Sequence, residues 1–381
     1  MAKETTPDMR RVQVLSEIEN SDLKNIRNEY HFRTPFLIDS LEPLLKDKRD
    51  IPMLCLLLNI LEVVVPGAVV VYAVNLWQPP MSLLTCNLVG LGHVLVVLIN
   101  FQERFILFLH FAAHRAIFHS DTLNAMLDFV LAPFFGIPSG LYKFHHVVMH
   151  HVENNHDLDT SSTEEFQRDS LPDFLYYWFR FACWVWLELP YYAVKTNRLG
   201  WLVSASGGLF LWLFTIGVLA KLVSTLATLW VFGVPHLIAM FALSFGNWSQ
   251  HMFVNPEDRF NNYALTYNCI DTPGNRTTFN DGYHLLHHLN ARMHWSELPR
   301  HFHANVDKWA KHGALTFRNI HFFEVGILVM TKQLRKLAER HYVHLGDKES
   351  APTVDEVEAR LKAWLKPVPK GATTANGKKG D

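Results

Sequence analysis

The sequence predicts an all-α integral membrane protein with four transmembrane helices and a histidine-rich helical cap on the cytosolic side. Three observations predict this fold class. Apolar residues make up 49% of the 381 positions, with 27 Phe and 11 Trp among them. Four apolar runs are each long enough for a helix to cross a hydrocarbon core, which takes about 20 residues. Three groups of histidines lie at the ends of these runs or in the polar segments that follow.

The apolar runs set the predicted domain organisation. Residues 1–50 form a polar N-terminal segment, 51–350 the membrane domain, and 351–381 a C-terminal helix, over 354–365, with a disordered tail. The four spans are expected at about 51–77, 81–109, 201–220 and 222–246. Four buried helices of a soluble protein are the alternative. It is disfavoured because a helix that is apolar all round over this length is typical of a membrane span.

Basic residues predict the orientation of the spans. Lys46, Lys48 and Arg49 precede the first run, whereas the turn after it, Asn75 to Ser82, carries no charge. Cytosolic flanks are enriched in Lys and Arg, so the N-terminus is expected in the cytosol. The second run is too long for the bilayer alone at about 1.5 Å per residue, which places the first histidine group just outside the membrane on the cytosolic side.

Composition gives no support to several other classes. The formal net charge is −1, which offers no reason to expect nucleic acid as a partner. The four cysteines are scattered without C-x-x-C spacing, so neither a zinc–thiolate site nor a disulfide framework is expected. The polar start of the chain shows no cleavable signal peptide.

Histidines carry the chemistry that the sequence predicts. Neutral imidazole is the commonest metal ligand and suits iron, zinc, copper and nickel. Spacings of i, i+3 and i, i+4 place side chains on one helix face, whereas adjacent histidines point in different directions, as a two-metal site requires. The nine candidate ligands are His110, His114, His146, His150, His151, His251, His284, His287 and His288.

Four further histidines, His119, His145, His156 and His294, are weaker candidates. In the first group a second alignment, H-R-A-I-F-H, would use His114 and His119 instead of His110 and His114. Helix geometry favours the latter pair. Phe111 stands where the zinc-protease motif needs Glu, which argues against a metalloprotease.

Polar side chains near the histidines are candidates for orienting the imidazoles by hydrogen bonding, although a solvated acidic loop explains them equally well. They are Glu153, Asn154, Asn155, Asp157, Asp159, Asn280 and Asp281. N-glycosylation patterns begin at Asn247 and Asn275, and both are interpreted as accidental because these segments are expected in the cytosol.

An aromatic stretch between 171 and 192 has two interpretations. Its side chains would line a tunnel for an apolar substrate, or they would anchor the protein at the membrane interface, which the enrichment of aromatics there favours. The candidates are Trp178, Phe179, Phe181, Trp184 and Trp186.

The order H-x-x-x-H, H-x-x-x-H-H, H-x-x-H-H on a four-span frame resembles the membrane fatty acid desaturase and hydroxylase superfamily. The resemblance covers roughly 51–299, and N-D-G-Y-H-L-L-H-H is especially similar to the third histidine box of that family. It implies two iron ions, O2 as co-substrate, and removal of hydrogen from a methylene of an acyl chain. N-W-S-Q-H resembles a segment that supplies an Asn and a His, which implies that Asn247 acts in the second shell or through water, and that His251 is a ligand.

The reaction that the resemblance implies first is desaturation of a fatty acyl chain, linked to CoA or to a lipid. Hydroxylation, acetylenic bond formation or oxidative decarboxylation at the same site are alternatives. A distant alternative is a non-enzymatic membrane protein that handles metals. That function would require ionisable residues inside the spans, and Glu62 is the only acid within the first.

Electrons for such a reaction are expected to come from a separate protein. The sequence contains neither an H-P-G-G haem-binding segment nor a G-x-G-x-x-G fingerprint. The family resemblance implies cytochrome b5 or ferredoxin, with its reductase. The final K-K-G-D is similar to a dilysine retrieval signal, so the endoplasmic reticulum membrane is the expected location.

The basic flank before the first span predicts a cytosolic N-terminus, and an even number of spans predicts a cytosolic C-terminus. A glycosylation tag at either end should therefore stay unmodified, and proteases added to sealed microsomes should remove both tags. Modification of a tag at either terminus would contradict this topology.

Overall fold

The computed structural model describes residues 35–369, and these are mostly helical. Four helices are long and apolar enough to cross a membrane, and we refer to them as the first to fourth span: Lys48–Leu76, Leu83–His114, Leu199–Val223 and Thr225–Gln250. The predicted fold class, all-α with four transmembrane helices, is confirmed. The N-terminal residues 1–34 and the predicted disordered tail from residue 370 lie outside the described residues, and the predicted domain boundaries remain a prediction.

Shorter elements connect and follow the spans. A π-helical stretch interrupts the first, second and fourth spans and ends the third, and the segment Phe144–His150 is also π-helical. The other helices are Pro35–Leu41, Asp121–Met126, Leu127–Leu131, His151–Glu153, Leu171–Lys195, His284–Leu289, Leu298–Ala304, Val306–Lys311, Phe322–Met330, Leu334–Arg340 and Val354–Trp364. Short 3-10 turns occupy Glu42–Leu44, Ala132–Phe135, Pro273–Arg276, Trp295–Glu297 and Lys348–Ser350. Two strands are described, β1 (Asn268–Ile270) and β2 (Thr316–Arg318).

The described chain folds as two compact units. The span unit consists of residues 35–152 and 182–243, and the C-terminal unit of residues 153–181 and 244–369. The unit boundaries fall inside the helix Leu171–Lys195 and inside the fourth span.

Small residues allow the spans of the span unit to pack closely. A Cβ added at Gly90 of the second span would lie 2.2 Å from Cγ of Trp230 in the fourth span. The indole Nε1 of Trp230 donates to Oδ1 of Asn87 at 3.0 Å, and the hydroxyls of Tyr72 and Thr228 lie 2.8 Å apart. Without a hydrophobic driving force between helices in lipid, this close contact and these hydrogen bonds are what hold membrane helices together.

The outward faces of the spans are apolar. Large side chains such as Leu83, Val203 and Phe210 are about 70% exposed in the protein. In the third span only 17% of the most apolar stretch is buried by the rest of the chain. Such faces are expected where lipid, and not water, is the solvent.

The C-terminal unit is built around a parallel strand pair and a buried core. β1 and β2 pair in parallel, with Cys269 opposite Phe317. Parallel strands need a long connection, and here it runs from residue 271 to 315 and carries the third histidine group. Trp248 and Leu361, both fully buried, belong to the same apolar core, so the C-terminal helix packs onto the segment that precedes His251.

Gly90→Ala should destabilise the protein by about 1–3 kcal/mol, because the added methyl group collides with the Trp230 ring and forces the second and fourth spans apart. Gly92→Ala, two residues further along the same helix, is the matched control, since nothing lies within 4 Å of the added Cβ. Thermal unfolding in detergent compares the two variants. Equal stabilities would contradict the packing described above.

Candidate metal centre

The second span delivers the first two candidate ligands. His110 and His114 lie on one face of the helix Glu103–His114, with ring centroids 5.7 Å apart. The helix ends there because Arg115 takes an extended backbone conformation. The guanidinium of Arg115 is held by Asp50, with 2.5 Å between Nη2 and Oδ2, and the Asp50 side chain is fully buried. A charge pair of this kind fixes where the helix stops.

The backbone after Arg115 continues in an extended form that leads away from the first two ligands. The amide of Lys46 donates to the carbonyl of Ile117, and the amide of His119 donates to that of Leu44. The side chain of His119 is exposed. The structure therefore brings His110 and His114 together and leaves His119 outside their cluster.

The second histidine group joins the first through a π-helical turn. Ring centroids of His110 and His146 are 4.3 Å apart, as are those of His114 and His151. Nε2 of His146 lies 3.2 Å from Nε2 of His151. Within this set, one ring nitrogen of each residue lies within 4.8 Å of one from each of the others. We call His110, His114, His146 and His151 the four-histidine cluster.

The π-helical turn changes the pairing that the sequence predicted. An α-helix would place His146 and His150 together at i, i+4, whereas a π-helix closes its turn over five residues and aligns His146 with His151. His150 is buried beside the cluster, with its ring centroid 5.7 Å from those of both His146 and His151. His145 is half-buried and lies outside the four-histidine cluster.

Burial keeps two imidazoles of this cluster, those of His146 and His151, uncharged. It holds the pKa of His146 well below its ordinary value, and the neighbouring His110 and His114 lower that pKa further. The pKa of His151 is lowered in the same way, by burial and then by His146 and His114. Because the charged form is disfavoured, ring nitrogens keep their lone pairs at neutral pH, as metal ligation requires.

The C-terminal unit holds a second group of imidazoles. His284 and His288 lie on the helix His284–Leu289 with their Nε2 atoms 3.2 Å apart. The ring centroid of His251 is 5.0 Å from that of His288 and 5.6 Å from that of His284. His287, fully buried, has its ring 5.9 Å from His284. We call His251, His284 and His288 the second histidine cluster.

Hydrogen bonds select the ring nitrogen that His251 and His288 present. Nδ1 of His251 is 3.1 Å from the carbonyl oxygen of Leu265, and Nδ1 of His288 is 3.4 Å from Oδ1 of Asn154. An oxygen of this kind only accepts, so Nδ1 carries the proton and Nε2 keeps the lone pair. Metal-binding histidines are usually oriented in this way.

Asp281 is the polar candidate that faces the ring of His284. Its side chain is fully buried, and one carboxylate oxygen lies 3.8 Å from Nδ1 of His284. The other oxygen accepts from Nε2 of Gln250 at 3.0 Å. Asp281 thus stands between two residues of the unit, in a position to orient the His284 ring.

A glycine turn that sequence reasoning missed places the third histidine group. The amide of Cys269 donates to the carbonyl of Gly282 at 2.6 Å, and a Cβ on Gly282 would lie 2.2 Å from the Cys269 carbonyl oxygen. Asn275 reinforces the turn, accepting from the Gly282 amide and donating to the Cys269 carbonyl. Because Asn275 is buried, its glycosylation pattern is accidental in this fold.

Asn247 uses its amide nitrogen within the unit, where it donates to the Ser161 carbonyl and to the Tyr177 hydroxyl at 2.8 Å each. Burial raises the pKa of Tyr177, so its hydroxyl stays protonated and donates to the same carbonyl. A role for Asn247 at the metal, in the second shell or through water, remains a prediction.

Two further polar candidates and one weaker histidine candidate have structural partners. Asp159 accepts from the amide and hydroxyl of Ser161 and closes a turn. Asp157 pairs with Arg259 at 3.1 Å, and Nδ1 of His156 lies 3.2 Å from Glu164.

One weaker histidine candidate closes a helix end. Nδ1 of His294 lies 2.6 Å from the Ser296 hydroxyl and also accepts from the Ser296 amide. His294 therefore caps the turn Trp295–Glu297.

The aromatic candidates divide between the two interpretations. Phe179 and Trp184 are more than half exposed, as expected of interfacial anchors. Trp186 lines a small apolar pocket in the span unit, together with Leu141, Leu189 and Ala205.

The fold and site define a class of protein, namely integral membrane proteins with clustered histidines and an all-imidazole donor set suited to transition metals. A family model described as Fatty acid desaturase matches residues 85–319, which is more than half of the chain. The chain belongs to the fatty acid desaturase family, which supports a fatty acyl desaturase- or hydroxylase-type oxidase, and the histidine clusters are compatible with that class. No match was found among curated proteins or among solved structures.

His110→Ala should abolish turnover and lower the metal content, because it removes one nitrogen from the four-histidine cluster while the helix still forms. His119→Ala, at an exposed position, should keep its metal and most of its activity. His114→Ala should be inactive under either alignment of the first group. The assignment is wrong if His119→Ala loses metal and turnover while His110→Ala retains both.

Proposed function

We propose that this chain is a non-haem diiron oxidase that uses O2 to introduce a double bond into a fatty acyl chain. The four-histidine cluster is the observation that carries the proposal. Its members come from two distant parts of the chain, and their ring nitrogens converge within 4.8 Å of one another. Two of these imidazoles are buried and two are half-buried, and removing polar rings from water is unfavourable, so packing alone does not explain why four of them converge.

The residues fit iron on the chemistry of their donor set. Imidazole suits divalent first-row metals, whereas Mg²⁺ and Ca²⁺ prefer oxygen ligands. Two ligand nitrogens on one ion at about 2.0–2.1 Å lie roughly 3 Å apart, and the His146–His151 and His284–His288 pairs each have 3.2 Å between Nε2 atoms. The nine histidines named from the sequence are the proposed ligands.

Bound iron would supply the activation of O2 and the oxidising power for an unactivated C–H bond. The chain's own residues hold the imidazoles ready for it. Burial keeps His146 and His151 neutral, the carbonyl of Leu265 fixes the tautomer of His251, and Asp281 faces the ring of His284. These contacts reduce the rearrangement needed when metal binds.

Desaturation with O2 requires electrons from a source other than the acyl chain. Removing two hydrogens from a –CH2–CH2– unit and reducing O2 to two waters consumes two further electrons and two protons. The sequence carries no haem or flavin fingerprint of its own, so we infer an external donor such as cytochrome b5 or ferredoxin with its reductase.

The proposed substrate is a fatty acyl chain linked to CoA or to a lipid, delivered from the bilayer in which the four spans lie. The apolar pocket beside Trp186 holds only about 20 Å³, against the 300–1,000 Å³ usual for ligand sites, so we do not propose it as the site of the acyl chain. We also propose that the protein lies in the endoplasmic reticulum membrane, with both termini in the cytosol.

Purified protein should contain about two iron ions per chain, the number inferred from a nine-histidine donor set. Elemental analysis with an optical spectrum checks this, and zinc at the same sites would count as replacement in overexpressed material. Stoichiometric haem, or folded protein that binds no transition metal, would refute the diiron proposal.

Expression in yeast should yield acyl chains lighter by two hydrogens, detected by mass spectrometry of total lipids with double-bond localisation. His146→Ala is the matched control, since it removes a ligand of the four-histidine cluster and should abolish the product. Chains heavier by one oxygen would instead assign hydroxylation. Metal binding with no change in any lipid would favour a metal-handling protein.

A further inference from the structure

Arg168 in the C-terminal unit is completely buried, and its guanidinium donates to six backbone carbonyls. Nε donates to Met252 at 2.8 Å, and Nη1 and Nη2 supply the remaining bonds. The six carbonyls, which we call the carbonyl cage, belong to Thr163, Glu164, Phe166, Met252, Trp364 and Lys366. Three stretches of chain that are far apart in sequence therefore meet at one side chain.

One of these stretches carries a proposed metal ligand. Met252 follows His251, and the His251 carbonyl accepts from Oγ1 of Thr163 at 2.6 Å. The carbonyl of Thr163 belongs to the carbonyl cage and accepts from Nη1 of Arg168 at 3.0 Å. Just before the ligand, Nε1 of the buried Trp248 donates to the Arg168 carbonyl at 3.2 Å. The backbone on both sides of His251 is thus tied to Arg168.

Another stretch is the end of the C-terminal helix. This helix end makes further bonds besides those of the cage. The carbonyl of Leu365 accepts from the amide of Arg168 at 3.0 Å, and the carbonyl of Trp364 accepts from the amide of Val254 at 3.0 Å. The amide of Val368 donates to the Glu164 carbonyl at 2.7 Å. The bond to Val254 runs directly from the C-terminal residues to the segment that follows His251, and the other two tie those residues to Arg168 and Glu164.

We propose that Arg168 is a positioning residue for the metal centre, which fixes the backbone around His251 by joining it to residues 364–368. The inference rests on the proposed function, because that function makes His251 a ligand. It makes the C-terminal segment part of the machinery that holds the metal, although residues 364–368 lie outside the region matched by the family model.

This role requires arginine because of the number of its N–H donors and because they lie in one plane. Five N–H groups in a rigid fork reach carbonyls on opposite sides, whereas lysine has three donors at a single point. Burial lowers the pKa of Arg168 to about 10, which leaves it charged at neutral pH. Hydrogen bonds from a charged donor are stronger than those from a neutral donor. The guanidinium therefore holds the carbonyl cage more rigidly than a neutral amide side chain would.

The test compares four full-length variants with the wild type. Arg168→Met removes all donors, and Arg168→Lys keeps the charge with fewer donors. Leu337→Ala is a stability control, since Leu337 is fully buried in the same apolar core but outside the cage. Arg335→Met is a docking control, since Arg335 contacts the C-terminal helix from the surface through Asp355 at 2.7 Å.

Two measurements are made on the purified proteins: Co²⁺ titration followed by absorption, and hydrogen exchange at single amides. For Arg168→Met we expect the affinity for one of the two Co²⁺ ions to fall about 10–100-fold, as for other residues that orient ligands. The amide of Val254 should exchange faster, while that of His287, bonded to the Tyr283 carbonyl, should not. For Arg168→Lys we expect a Co²⁺ affinity and a Val254 exchange rate between those of Arg168→Met and the wild type. Both controls should retain wild-type Co²⁺ affinity per folded molecule.

The positioning role is overturned if Arg168→Met binds both ions with wild-type affinity and spectrum, or if Val254 exchanges no faster than in Leu337→Ala. A wild type that binds no Co²⁺ would refute the proposed function instead. In that case the exchange data alone would still decide whether Arg168 couples the C-terminal segment to residues 251–254.

Discussion

Imidazole rings that lie close together away from water must be uncharged, and much of this structure meets that requirement. In the four-histidine cluster each ring would repel a protonated neighbour, and burial disfavours the charged form further. Neutral rings with converging lone pairs gain little from one another, so the surrounding chain has to hold them in place. The ion pair of Arg115 with the buried Asp50 lies where the second span ends after His114, and the π-helical turn brings His146 and His151 onto one side.

The C-terminal unit meets the same requirement by different means. Its imidazoles are oriented by oxygen acceptors, such as the carbonyl of Leu265, and not by a helix end. The parallel strands hold the ends of the connection that carries the helix His284–Leu289, and the Gly282 turn sets where that helix begins. Accurate placement therefore depends on backbone geometry, which a substitution changes less easily than a side-chain contact.

The sequence predicts those features that depend on local patterns. Apolar runs predicted four spans, and histidine spacing together with the family resemblance predicted membership of the fatty acid desaturase family. The pairing of His146 with His151 was not predicted, because the spacing was read with α-helical periodicity while the chain forms a π-helix. Arg168 and Gly282 were also missed, since their roles rest on contacts with residues far away in sequence, which no local motif records. Of the polar loop candidates, Asp281 lies against a proposed ligand, whereas Asp159 closes a turn.

The carbonyl cage also imposes an order of events during synthesis. Lys366 follows Arg168 by 198 residues, which a ribosome needs about 10–40 s to add at 5–20 residues per second. Until then the guanidinium lacks two of its acceptors, and β1 has no partner before Thr316 has been made. The surroundings of His251 thus reach their final form late, after the four spans have been synthesised. Under the proposed function, a metal ion that met the nascent chain earlier would meet an incomplete site, so metal acquisition would belong to the last stage of maturation.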